Sequence, residues 1–281
     1  MRQIEYDSIR EAVKTGLIKA NCEIGDDVLS SLVAARNVEE SPVGISILDQ
    51  LVENDRLAAR EGTALCQDTG MVIAFADLGQ DARIVGGDFR EAIDEGVREA
   101  YREAFFRNSV VRDPLFDRKN TGDNTPSVIH VDIVPGDRLR ISLMAKGFGS
   151  ENMSALRMLT PADGEEGVRR FVVDTVRSAG PNPCPPVIVG VGVGGTFEQA
   201  ALISKRALLR ELGRPNADPR YAELERRLLS DINGLGVGPG GLGGRVTALA
   251  VHVEQCPTHI ASIPVAVNMC CHASRHARIE L

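Results

Sequence analysis

A chain of 281 residues, 43% hydrophobic and 25% charged, has the makeup of an ordinary folded protein with a substantial core. Its formal charge of -7, with no basic run interleaved with aromatics, argues against nucleic acid as a partner. The opening MRQIEYDSIREAVK lacks a signal peptide's apolar core, and no apolar run approaches the roughly 18 residues of a membrane span; a cytoplasmic protein, not a membrane one, is expected.

Residues 1–61 read as mainly helical. Ile9, Val13 and Leu17 recur at four-residue spacing, Asp27 can cap a helix carrying Leu29, Leu32 and Val33, and Ser41–Pro42 opens a third with Ile45, Leu48, Leu51 and Val52 on one face. The polar CQDTG (66–70) precedes a strand-like MVIAFADLG (71–79), and residues 88–107 return to helix. VIHVDIV (128–134) alternates with period two and is separated by Pro135–Gly136 from RLRISLMAKG (138–147), which predicts a hairpin. A glycine loop, KGFGSENMS (146–154), leads to a helix near 164–179. PVIVGVGVGG (186–195) is a buried strand, Thr196 caps the helix FEQAALISKRALLREL, and another helix covers about 218–232. GLGVGPGGLGG (234–244), with seven glycines in eleven residues, cannot be regular structure. RVTALAVHVE and HIASIPVAVN read as strands running into NMCCHASRHA (268–277). No linker or repeat interrupts the pattern. The expectation is an α+β fold, one unit over 1–281: a helical part, 1–61, packed on a mixed-sheet body, 62–281.

Six cysteines in a cytoplasmic chain do not suggest a disulfide framework, and Cys22 and Cys256 read as small buried residues. Others are placed more pointedly. CQDTG packs a thiol, an amide and a carboxylate ahead of a strand; taken blandly, it is a turn. In GPNPCPPV (180–187), Cys184 is clamped by prolines, which stiffen the loop and suit a metal ligand or nucleophile. GVGVGG (190–195) formally matches a dinucleotide-binding glycine pattern, but no second strand ending in an acidic residue follows at the right distance. The glycine loops carrying Lys146, Glu151, Asn152 and Arg245 could be flexible surface or could approach an anion. His130 and His252 sit in alternating strands and read as structural, as a lone His259 usually would.

Adjacent Cys270 and Cys271 on an extended segment point to opposite faces, so only one can serve a site with Cys66 and Cys184. Three thiolates with an open position suit zinc or an iron–sulfur cluster, and spacing alone does not choose between them. A non-catalytic metal-binding structural subunit remains a competing reading.

With LCQDTG, KGFGSENMSALRMLTPADG, NPCPPVIVGVGVGGTFEQAALISKRALLR, GPGGLGGRVTALAVHVE and PTHIASIPVAVNMCCHASRHA in one order, the chain resembles the α subunit of iron–sulfur hydro-lyases of the class I fumarase and tartrate dehydratase type. The resemblance implies a [4Fe–4S] cluster held by Cys66, Cys184 and Cys271, the last chosen because it directly precedes His-Ala. It implies that Gln67, Asp68, Arg107 and Gly149 meet substrate, and that Asp68 and His259 are catalytic around the departing hydroxyl. It implies reversible hydration of fumarate to (S)-malate with a cluster iron as Lewis acid, with L(+)-tartrate or mesaconate chemistry as alternatives. The threonine base then comes from a separate β subunit in an α2β2 assembly, so the chain is expected to be inactive alone. His272 and His276 lose their claim as ligands.

Overall fold

The computed structural model describes residues 2–281. In chain order, β1 (Arg2–Glu5), α1 (Tyr6–Cys22), α2 (Asp26–Val38) and α3 (Pro42–Glu61) come first. β2 (Met71–Gly79), β3 (Ala82–Val85), α4 (Phe89–Glu103), β4 (Val128–Val134) and β5 (Leu139–Lys146) follow. Then come the short α5 (Phe148–Glu151), β6 (Ala155–Leu159), α6 (Gly164–Ala179), β7 (Val187–Gly195), α7 (Phe197–Ala207) and α8 (Pro219–Asn233). β8 (Ala248–Thr258), β9 (Ile263–Cys270) and β10 (His276–Glu280) complete the series. The fold is mixed helix and sheet, and among the described residues no helix is long and apolar enough to cross a membrane. These elements form two compact units interleaved in sequence: residues 2–25, 54–148 and 274–281, and residues 26–53 and 149–273.

The first unit is built on a four-stranded sheet in the order β10-β5-β2-β4. Ile9, Val13 and Leu17 of α1 and Ile93, Val97 and Tyr101 of α4 bury their apolar stripes with Val72, Ala74, Ile141 and Leu143 of the sheet. The two helices cross closely at Gly96, where an added Cβ would lie 2.6 Å from the carbonyl of Arg10. The hairpin expected from 128–147 does not form. β2 lies between its two arms, parallel to β4 and antiparallel to β5. The turn at Pro135–Gly136 pairs with the end of β2 instead, with Gln80 N donating to Val134 O (2.9 Å) and Asp81 N to Gly136 O (2.9 Å). β4 is thus an edge strand, and its alternation leaves Ile133 exposed. His130 on β4 stacks against Phe75 with centroids 5.1 Å apart.

The second unit holds the sheet β6-β9-β7-β8, in which β7 runs parallel to β8 and antiparallel to β9. Its core joins Val172 and Val176 of α6, Leu228 and Ile232 of α8, and Val189, Val253, Val265 and Met269 of the sheet. GVGVGG is part of β7, not a phosphate loop. A Cβ at Gly190 would fall 2.1 Å from Ser204 O, and one at Gly192 2.2 Å from Ala200 O. These glycines let the backbone of α7 lie directly on the strand. Thr196 precedes α7, but its hydroxyl donates to Glu198 Oε1 (2.7 Å) rather than receiving a backbone N–H, and the helix ends at Ala207, earlier than its sequence suggests. His252 is buried with Nδ1–H donating to Ala207 O (3.2 Å); burial pushes its pKa down to about 4. It is a structural, neutral histidine.

Candidate active site

Of the residues singled out by sequence, Cys66, Gln67, Asp68 and Arg107 belong to the first unit, and Gly149, Cys184, His259 and Cys271 to the second. Each unit builds its share separately.

In the first unit, the loop 65–70 between α3 and β2 is held by hydrogen bonds to neighbouring elements, several of them from buried side chains. Asn21 O accepts from Leu65 N (2.8 Å), and Asn54 Nδ2 donates to Leu65 O (3.0 Å). Tyr101 OH donates to Thr69 O (2.6 Å) and Gly70 O (3.1 Å), and Asn124 Nδ2 donates to Gly70 O (3.1 Å). Burial pushes the Tyr101 hydroxyl up to about 12, so it stays a proton donor. Gly70 is required where it stands: its φ is +82°, and a Cβ would meet the Lys146 carbonyl at 2.8 Å. The Asp68 carboxylate accepts from Gly70 N (3.1 Å) and, through Oδ2, from Phe148 N (2.8 Å). The half-buried Cys66 thiol donates to Gln67 Oε1 (3.5 Å). Arg107 follows α4 with its side chain exposed; Thr69 Oγ1 donates to its carbonyl (2.9 Å), which ties the arginine segment to the thiol loop.

In the second unit, Cys184 is exposed and adopts φ +55°, a conformation costly for a residue with a Cβ. Its loop is backed by the glycine-rich segment 234–244: Gly240 N donates to Pro185 O (2.8 Å), and Gly241 lies so close that a Cβ would be 2.2 Å from Pro181 Cβ. That segment is anchored by Glu39, whose carboxylate accepts from the backbone N–H of Glu40, Ser41, Arg245 and Val246 at 2.8–3.0 Å. Burial opposes the charge on Glu39, yet the four donors hold its carboxyl below the usual range.

Cys271 lies just past the end of β9, half-buried, while Cys270 ends the strand at 4% exposure. His272 Nδ1–H donates to Cys184 O (3.1 Å), so two of the candidate thiols sit on segments bonded to each other. Gly149 joins them: Asn182 O lies 3.7 Å from the position its Cβ would take. The loop after it is fastened to β9 by Glu151, which pairs with Lys205 and accepts from Asn268 Nδ2 (3.2 Å), and by Ser154 Oγ, which accepts from Met269 N (3.1 Å). His259 is not in a strand. It lies exposed in the connection between β8 and β9, its Nδ1 accepting from Ala261 N (3.2 Å), which leaves the proton on Nε2.

Burial raises the thiol pKa of Cys22 and Cys256, which suits inert cysteines. Among the described residues no three His, Cys, Asp or Glu side chains are gathered as a single-ion site. The supporting residues Asn21, Asn124, Glu39, Lys205 and Arg275 escaped the sequence reading, because each acts on partners far away in the chain: Arg275 on Asn21 and Asp68, Asn124 on Gly70, Glu39 on Arg245 and Val246, and Lys205 on Glu151.

A family model described as fumarate hydratase (Fumerase) matches residues 10–280. A protein of Methanocaldococcus jannaschii, provisionally named L(+)-tartrate dehydratase subunit alpha, is 41% identical over 268 residues, covering 91% of this chain and 92% of its own. L(+)-tartrate dehydratase subunit alpha of Escherichia coli strain UTI89 is 34% identical over 284 residues, covering 100% of this chain and 93% of its own; that of strain K12 is 33% identical over 282 residues, covering 99% and 92%. With the family model spanning residues 10–280 and these relatives matching over nearly the whole length, the chain belongs to the fumarate hydratase family of hydro-lyases.

Proposed function

We propose that this chain is the α subunit of an iron–sulfur hydro-lyase that reversibly hydrates fumarate to (S)-malate, with Cys66, Cys184 and Cys271 as cluster ligands. The observation that carries the reading is Cys184. A non-glycine residue held at φ +55° between prolines, with its thiol exposed and its carbonyl bonded to the residue after Cys271, is strain retained to aim a thiol. The donor set fits: three cysteines outside the apolar core offer the soft ligands that select an iron–sulfur group. When bound, a [4Fe–4S] cluster supplies a Lewis-acidic iron that weakens the substrate C–O bond.

The chain's own residues then do the following. Arg107 pairs a substrate carboxylate through its guanidinium fork, lowering the cost of charge that builds beside it. Gln67 offers an amide to the same dicarboxylate, and Gly149 admits it close to the backbone. Asp68 and His259 together hand a proton to the departing hydroxyl, with Nε2–H of His259 as the proton-bearing atom. Proton abstraction from carbon falls to a threonine of a β subunit, the partner that the relatives' α-subunit names support, in an α2β2 assembly. A reducing cytoplasm suits six thiols.

The names of the relatives favour a second substrate, L(+)-tartrate. Anaerobic reconstitution with the β partner and comparison of kcat/KM on fumarate, L(+)-tartrate and mesaconate decides. A hundredfold preference for fumarate is expected. The same preference for tartrate would reassign the substrate, and inertness on all three would end the hydro-lyase reading of this site.

A further inference from the structure

Arg275, in the stretch NMCCHASRHA, is charged yet only 3% exposed, and nothing in the proposed chemistry calls on it. Burying a guanidinium is expensive unless its hydrogen bonds repay the lost water. Its Nη1 donates to the carbonyl of Asp68 and to Asn21 Oδ1 (3.4 Å). A Cβ at Gly147 would lie 3.2 Å from Arg275 Nη2 and 3.2 Å from Asp68 Oδ2, so the guanidinium and the Asp68 carboxylate bracket that glycine. Asp68 Oδ2 itself accepts from the next amide, Phe148 N (2.8 Å). The Arg275 backbone is fixed as well, its carbonyl accepting from Ala145 N (3.0 Å). One buried cation thus holds the backbone of residue 68 and flanks its carboxylate. It sits four residues after Cys271 in the chain and contacts a residue two after Cys66.

We propose that Arg275 is a positioning residue for the lyase reaction: by holding the Asp68 carbonyl it fixes the conformation of the loop bearing Cys66 and Asp68. The proposal rests on the functional reading above. A structural arginine could be replaced by any side chain that keeps the fold, whereas a positioning one needs Nη1 where it reaches both the Asp68 carbonyl and Asn21 Oδ1, even though its buried Nε goes without a hydrogen-bond partner. Arg275→Lys keeps the charge but, shorter and without the guanidinium, does not reach both acceptors.

The test uses the αβ complex, reconstituted anaerobically, as wild type, Arg275→Lys and Arg275→Ala. For Arg275→Lys we expect kcat to fall at least tenfold with KM changed less than threefold and iron per chain unchanged. In Arg275→Ala, added guanidinium should restore part of the lost kcat while ethylammonium does not. In the iron-free chain, hydrogen exchange at residues 66–70 should quicken in Arg275→Lys, with the protection of β5 kept. If Arg275→Ala fails to assemble, Arg275→Lys decides alone. A kcat within twofold of wild type in Arg275→Lys, or a loss that merely tracks missing iron, overturns the proposal. Wild type inert on every dicarboxylate overturns the functional reading and this proposal with it; an active wild type with an unimpaired Arg275→Lys overturns only the proposal.

Discussion

The loops carrying Cys66 and Cys184 each present a cysteine, yet they are held by different forces. The first hangs from side chains: Tyr101, Asn124 and Arg275 donate to its carbonyls from buried positions, and Asn54 from an exposed one. The second is stiffened from within by Pro183, Pro185 and Pro186 and pressed from behind by glycine backbone at 240–241. Hydrogen-bonded suspension stores its stability in a few atoms, each worth about 1–3 kcal/mol if its partner is stranded. Stiffness and close approach store it in volume and in the restricted unfolded chain. The first loop should therefore be sensitive to deleted polar atoms and the second to added carbon.

The largest effect tests what the loops have in common. Cys66→Ser, Cys184→Ser or Cys271→Ser should each lower kcat more than about 10³-fold with loss of iron, since hydroxyls are poor ligands for iron–sulfur groups. Cys256→Ser should leave kcat within about twofold, because its raised thiol pKa marks it as inert. Iron analysis and rates on the αβ complex check both, and iron loss in Cys270→Ala with retention in Cys271→Ala would exchange the two assignments.

Next comes the loop held by volume. Gly241→Ala should cost about 3 kcal/mol or more, because φ is +74° and the new methyl would lie 2.2 Å from Pro181 Cβ. Gly122→Ala, at φ +89° with nothing within 4 Å of the new carbon, should cost only about 1 kcal/mol. Urea unfolding separates them, and equal costs would remove close approach as the cause.

Acid should change the stabilities of the two units in opposite directions. His252, in the second, has its pKa pushed down to about 4 by burial, so the unfolded chain takes up the proton first. Its contribution is complete above about pH 6.5 and is lost as the pH falls toward 4, by up to about 3 kcal/mol. Asp55, in the first, is pushed up to about 6 by burial, with its Oδ2 lacking a hydrogen-bond partner. There the folded form binds the proton first, so stability rises as the pH falls from 6 to about 4, by up to about 3 kcal/mol. Hydrogen exchange corrected for intrinsic rates should show opposite slopes in the two cores, and Asp55→Asn should flatten the first. Parallel slopes would contradict the assignment.

The smallest effect tests suspension. Tyr101→Phe removes one hydroxyl and two hydrogen bonds, and should cost about 1–2 kcal/mol. Exchange should quicken at residues 69–71 and stay unchanged at 183–187; a change in both loops would mean that they are not braced separately.

The same contrast governs how much could be read from the chain. Helices α4, α6 and α8 fall where their apolar periodicity places them, because a stripe three to four residues apart is written locally. The arms at 128–134 and 138–147 were strands as expected, but their pairing was not local: β2, more than fifty residues earlier in the chain, slips between them. His259 was read into a strand because IASIPVAVN continues an apolar run, whereas β9 begins only at Ile263. The thiols and the QD pair stood out as motifs. Asn21 and Arg275 did not, since their meaning depends on a fold that brings residues 21, 68 and 275 together.

The interleaving of the two units also sets an order of assembly during synthesis. All of residues 26–53 and 149–273 are made before the first unit receives β10, which pairs with β5 from His276↔Met144 to Glu280↔Arg140. The second unit therefore has all its residues while the sheet beneath the Cys66 loop still has an open edge at β5. A chain cut before residue 274 would keep the Cys184 and Cys271 segments in a whole second unit, while the Cys66 loop would stand on a sheet that lacks its last strand.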